Sequence, residues 1–431
     1  MSKQLNTEIV ILENLALNTM KLFFMHRYFT YIIVFLFLVA CDNNTPEEVR
    51  FTEQQIESLH LSGTQVLEPQ TDSIIHINLT PFLGKREFDF GNIVKEVKIV
   101  PLETTKNSLL DGIYKVITTD EYIYIMDNFK GKSLIIFTKE GKFIKRLSHG
   151  QGPGELQRLY DIDYDFQTNE LIAYQHSFFL FFDKEGNFLR QERLPINFDN
   201  FISLDNGYIL RTAPVQGNTH LDDKEGYTFL FTDKIFTLKS VAVYQPKDIK
   251  AMSAHTYLYK NDSLITLAGR YSDSIYKYDA KKNKLYTEFV LDYDKKLPKK
   301  YLYGENFRVF QEVTKNNDYY FNIGEYFETF SQNVFFLWNN YINLQTIVYR
   351  DKKTGNMIGG TSAMLNLEEV PAFNFPIGVD KNYFVSVYNP YINRYEKLKN
   401  SKLISEADKE KIKQFKDDDN PMLVYFTLKE F

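Results

Sequence analysis

The stretch Ile136-Phe137-Thr138-Lys139-Glu140-Gly141-Lys142-Phe143-Ile144 returns 45 residues later as Phe181-Phe182-Asp183-Lys184-Glu185-Gly186-Asn187-Phe188-Leu189. Each copy is an apolar run, a charged turn closing on glycine, and a second apolar run, which is the pattern of a β-hairpin. The unit continues in looser spelling as Phe231-Thr232-Asp233-Lys234-Ile235-Phe236, Tyr278-Asp279 and Tyr349-Arg350-Asp351-Lys352-Lys353-Thr354-Gly355, and ends in the run Leu423–Leu428. A period of this length marks a repeat architecture in which each unit is one supersecondary element.

Six such anchors, each carrying about four strands, predict an all-β fold: a six-bladed β-propeller with small helical insertions, closed so that sheet edges are hidden. The propeller is expected over residues 71–431, with insertions at about 292–318 and 389–420. Val97–Val100 or Ile74–Asn78 would complete the last blade beside Leu423–Leu428. In the second insertion, Ser405 to Asp408 reads as the capped start of a helix that decorates the ring.

Composition agrees. With 37 Phe and 30 Tyr against 20 Gly and 13 Pro, the chain favours strands over disorder. A net charge of -5 and the lack of a basic stripe argue against a nucleic-acid partner. The single cysteine, Cys41, excludes an internal disulfide and a cysteine-based metal site.

Cys41 closes a segment with a basic start (Lys21, Arg27) and an uncharged middle, Tyr28–Ala40, of 13 residues. Roughly 20 are needed to cross a bilayer as a helix, so an export signal over residues 1–40 fits better, with Met20 or Met25 as a plausible true start. Leu38-Val39-Ala40-Cys41 resembles the lipobox of bacterial lipoproteins, which implies acylation of Cys41 and a membrane attachment through several acyl chains. Residues 41–70, polar and acidic, are expected as a flexible tether with one short helix near Glu53–Leu59.

His149-Gly150-Gln151-Gly152-Pro153-Gly154-Glu155-Leu156 invites a phosphate-loop reading. The glycine spacing fits neither nucleotide pattern, and the residues that follow alternate as a strand, whereas a phosphate loop needs a helix N-terminus. A turn from the outer strand of one blade to the inner strand of the next explains the glycines.

Together with this loop, Val97–Leu109, Asp273–Tyr278 with Lys296-Leu297-Pro298, and Asn420–Tyr425 resemble the six-bladed β-propeller lipoproteins of Bacteroidetes, relatives of NHL- and TolB-like propellers. The resemblance implies a lipid-anchored protein of the bacterial cell envelope, at the outer membrane. It also implies that outer-to-inner loops and the loops after second strands share one face of the ring. Asp127, Asn128, Gln151, Glu155, Arg158, His176, Arg211, Arg270, Trp338 and Asn339 would then gather around the channel as a ligand-binding set.

The two arginines suit a carboxylate, and Trp338 suits stacking on a sugar or ring. Replacing Arg211 and Arg270 by alanine is expected to weaken an acidic ligand and leave the ring folded. No catalytic residue and no resident cofactor are assigned. The first expectation is an envelope protein binding a glycan, peptide or envelope protein partner on its channel face. The alternatives are a calcium- or zinc-dependent lactonase- or lyase-like enzyme and a structural subunit of an envelope complex. Calcium would draw on Asp127, Asn128, Glu155 and Asn339, and zinc on His149, His176, His220 and His255.

Overall fold

The structure, a computed structural model, describes residues 51–431 apart from 85, 128–132, 148, 151, 176, 214–216, 246–253, 255, 304–306, 362–374, 389–401 and 417. Cys41 and the export segment, Asn128, Gln151, His176, His255 and the first part of the second insertion lie outside the described residues.

Three strands come first: β1 (Gln65–Val66), β2 (Ile75–Asn78) and β3 (Val94–Pro101). Blade 1 follows as β4 (Lys115–Thr118), β5 (Tyr122–Asp127), β6 (Ser133–Thr138) and β7 (Phe143–Leu147). Blade 2 is β8 (Asp161–Asp165), β9 (Glu170–Gln175), β10 (Phe178–Asp183) and β11 (Phe188–Arg193). Blade 3 is β12 (Asn200–Leu204), β13 (Gly207–Arg211), β14 (Tyr227–Asp233) and β15 (Leu238–Tyr244). In blade 4 come β16 (Leu258–Asn261), β17 (Leu264–Ala268), β18 (Ser274–Asp279) and β19 (Lys284–Asp292). Blade 5 holds β20 (Tyr326–Glu328), β21 (Gln332–Asn339), β22 (Leu344–Asp351) and β23 (Met357–Thr361). Blade 6 joins β24 (Pro376–Asp380), β25 (Tyr383–Tyr388) and β26 (Met422–Leu428) to β3 as its outer strand. Val97–Val100 therefore closes the ring, and Ile75–Asn78 does not.

First strands pack side by side around the axis, from β4 through β8, β12, β16 and β20 to β24 and back to β4. Every sequence anchor falls on the third strand of its blade or on the turn after it. The glycines that close the first two copies sit at φ +88° (Gly141) and +81° (Gly186), where a side chain would be strained. The repeated lysine has its own cause. Lys139 reaches Asp380 of blade 6 at 2.6 Å, Lys184 reaches Glu121 of blade 1 at 2.7 Å, and Lys234 reaches Asp165 of blade 2. The motif thus ties three blades to the blade before.

Burial is partitioned in the same way. Blades 1 and 2 share Tyr124, Ile136, Tyr164 and Phe182; blades 2 and 3 share Tyr174, Phe179, Phe201 and Leu230. Corresponding clusters join blades 3 and 4, 4 and 5, 5 and 6, and 6 and 1. Aromatic side chains fill these wedge-shaped gaps, as in the stacking of Tyr124 on Tyr164 at 5.3 Å and the close approach of Phe231 and Tyr278 at 4.6 Å.

The tether expectation is corrected from Glu53 onward. A short helix, α1 (Glu53–Glu57), does form. Beyond it the chain binds the ring as a belt, because fully buried Leu59 enters the core between blades 2 and 3. β1 then pairs parallel with β15, and β2 pairs parallel with β19. The Arg86 carbonyl accepts from Thr361 N of β23 at 2.8 Å, and after α2 (Phe90–Ile93) the chain becomes β3. One segment therefore covers the outer edges of blades 3, 4 and 5 and supplies that of blade 6, removing edges that would template aggregation.

The insertions add two helices, α3 (Phe307–Asn316) and α4 (Glu406–Lys413). Ser405 Oγ accepts from Asp408 N at 3.1 Å, as the capping pattern requires. α4 is more than a decoration. It buries Ile412 in the last blade's core, while Asp408 accepts from Ile99 N and Lys411 donates to Ile99 O, so the open edge of β3 is satisfied.

Candidate functional site

Every first strand runs from the upper end of the channel, where blades are joined, to the lower end, where the hairpin turns lie. On β8, alternation sends Asp161, Asp163 and Asp165 to one side, and all three are buried. Asp161 accepts from Lys115 Nζ at 2.7 Å and Phe201 N at 2.9 Å. Asp163 accepts from Ser203 N at 2.6 Å and Lys260 Nζ at 2.8 Å, and Asp165 from Ser203 Oγ at 3.0 Å. Lys260 comes from blade 4 and also donates to the Tyr164 and Ser203 carbonyls, bridging past blade 3. This ladder stitches blades 1 to 4 along the axis.

Above it lies a layer of coupled groups. Arg211 ends β13, is 3% exposed, pairs with Asp199 and stacks over Tyr257 at 4.3 Å. Arg270 acts on the same Asp199 and Tyr257. Burial pushes the Asp199 carboxyl up against the pull of both arginines. Tyr114, from blade 1, is raised by burial and by the nearby Asp161, Tyr257 and Asp199. Among the described residues, Arg211 Nε and Asp199 Oδ1 are buried without a hydrogen-bond partner.

Below the layer opens a cavity of about 1310 Å³. It reaches the lower mouth at Asp120, Phe166 and Asp262 and extends into the cleft between blades 3 and 4 beside Ser240, Tyr278 and Tyr286. One wall is the ionic ladder of Asp163, Asp165 and Lys260; the facing wall is apolar, with Phe327, Ile377 and Val379.

The described members of the sequence-derived set stand at the upper end, as the blade phase requires, but only the two arginines converge. Asp127 is fully buried and accepts from Asp111 N at 2.9 Å, anchoring a loop of blade 1. Glu155 Oε2 accepts from Gly152 N at 2.7 Å and closes the glycine loop on itself. Of that loop's three glycines, only Gly154 has positive φ, at +76°, where it packs on Phe188 of β11. Arg158 lies over Tyr160 at 5.0 Å. Asn339 is spent on its own turn, accepting from Tyr341 N and Ile342 N while donating to Asp318.

Trp338 donates to Glu325 at 3.1 Å and packs under α3 beside Tyr257 and Phe310. Its indole is a wall of that cluster, not an open stacking platform. Glu325 also accepts from Gln345 at 2.7 Å, and burial pushes its carboxyl up to about 7. Sequence reasoning missed this group, as it missed the Asp ladder. An acid at every second position of Asp161-Ile162-Asp163-Tyr164-Asp165, in a strand entering the channel, was the available signal. Among the described residues, no three His, Cys, Asp or Glu side chains are grouped as a metal site. Of the histidines, His220 turns to the Pro195 carbonyl at 2.7 Å.

The family described as "Domain of unknown function (DUF4934)" matches residues 74–427, from β2 to the last strand. This chain belongs to that family. Among curated proteins none matches the sequence. Of solved structures, a protein from Bacteroides fragilis described as exported aligns at 17% identity over 83% of this chain and 100% of its own, with a TM-score of 0.66. A protein of unknown function from Bacteroides caccae aligns at 10% identity over 58% of this chain and 81% of its own, with a TM-score of 0.35. The first likeness is one of fold. For the DUF4934 chain, the belt from β2 through β3 thus lies within the family's extent, and α1 and β1 precede it.

Proposed function

We propose that this protein is a lipid-anchored propeller of the cell envelope that holds a ligand in its channel cavity. The observation that carries the reading is the cavity itself: about 1310 Å³, within the channel, with one ionic and one apolar wall. Attachment rests on the export pattern and Leu38-Val39-Ala40-Cys41. Cys41→Ser is expected to move the protein from the detergent phase to the aqueous phase in a detergent-partition assay; unchanged partitioning would refute the anchor.

Occupancy is tested by filling the channel. Gly378 lines the cavity, and a Cβ there meets only the Val116 carbonyl, at an ordinary 3.5 Å. Gly378→Trp is therefore expected to narrow the cavity from a position where a Cβ is tolerated. A low-molecular-weight extract of the host envelope is expected to raise the melting temperature of the natural protein and not that of Gly378→Trp. Equal responses, with both chains folded, would remove the cavity as the site.

A further inference from the structure

We infer that the cavity takes a neutral oligosaccharide, lying from the lower mouth into the cleft between blades 3 and 4; this rests on the cavity being the binding site. Three properties of its walls select that class. The first is charge. Eight aspartates line it against six lysines, so the cavity is mildly acidic, and an anionic ligand would meet net repulsion.

The second is the state of the backbone. A peptide bound to a β scaffold gains its affinity by adding a strand to a free edge. Here the groups that such a strand would use are occupied. Phe201 N and Ser203 N already donate to Asp161 and Asp163, and the Ser203 and Tyr164 carbonyls already accept from Lys260. Along β8 and β12 the channel edge offers a peptide little to pair with.

The third is the pairing of acceptors with donors. Asp163 and Lys260, paired at 2.8 Å on the cavity wall, present acceptor and donor side by side. A ligand that can both donate and accept at each contact, as sugar hydroxyls do, matches such a lining. Phe166, 57% exposed at the mouth, offers a ring face of the kind on which the C–H side of a pyranose packs.

The experiment is calorimetry on the full chain with neutral linear hexasaccharides (cellohexaose, maltohexaose, mannohexaose and chitohexaose), hexagalacturonate, and a random peptide library. At least one neutral hexasaccharide is expected to bind, to lose about tenfold or more in affinity with Phe166→Ala, and to fail to bind Gly378→Trp. Phe166 is exposed, so its replacement leaves the fold intact should the tryptophan variant not express. Preference for hexagalacturonate or for peptides, still blocked by Gly378→Trp, overturns the ligand class and leaves the cavity as a binding site. Binding of a neutral sugar that neither variant weakens removes the cavity itself. No binding of any neutral sugar at millimolar concentration also overturns the inference.

Discussion

Glu328→Gln is expected to lower stability by about 3 to 5 kcal/mol at neutral pH, the cost of stranding buried charge. Glu328, 3% exposed on β20, touches Lys277 and Thr266 with one oxygen and Lys352, at 2.8 Å, with the other. Burial pushes both lysines down to about 8, helped by Lys352 for the first and by Arg350 for the second. Glu328 is the carboxylate that both ammonium groups touch. Glutamine keeps the shape and removes the charge, so the folded-state values fall further.

The sign follows from proton binding. A lysine depressed below its unfolded value of about 10.4 binds fewer protons folded than unfolded, so its effect on stability becomes more favourable as pH rises from the folded value toward the unfolded one. The deficit of Glu328→Gln is therefore largest near pH 7 and shrinks toward pH 10, where the natural protein holds Glu328 beside lysines that have lost their charge. Urea unfolding of both chains across this range decides it. A deficit independent of pH would mean that lost packing, and not stranded charge, is the cause.

Arg211→Ala is expected to cost a similar amount, about 3 to 5 kcal/mol. The guanidinium is buried, paired with Asp199 and stacked on Tyr257. Alanine removes the stack and leaves the Asp199 carboxylate, about 35% exposed, with Arg270 and the Asn200 backbone N–H. This burial sets a stability cost against the sequence-based expectation that both arginines can be removed with the ring left folded. Adding Asp199→Asn to Arg211→Ala is expected to restore a large part of the loss, since it discharges the orphaned group. Acidification acts the same way, because burial raises Asp199 and a protonated carboxyl needs no counter-charge. Thermal melts of the single and double variants at two pH values test this; a double variant no more stable than the single would show that Arg211 acts through packing on Tyr257 alone.

The glycine loop shows why a motif-like stretch needs its neighbours. Its spacing already excluded a phosphate cradle. That Glu155 folds back onto Gly152, and so is unavailable to a ligand, depends on a turn geometry that spacing does not encode. Asn339 and Asp127 repeat the lesson. Strand-end polar residues have the right phase for a channel face, but backbone groups of the protein claim them, the adjoining turn for Asn339 and the Asp111 loop for Asp127.

The sequence by itself determined the repeat, the strand alternation and hence a ring of six blades, because hairpin period and turn chemistry are local and recur at fixed spacing. Only the tertiary structure decided that Leu59 to Ile93 is a belt, that β3 and not β2 closes the ring, and that Asp163, Ser203 and Lys260 form one wall of a cavity. Those facts depend on which blades stand beside one another, and closing a ring brings together residues with no fixed distance in the chain.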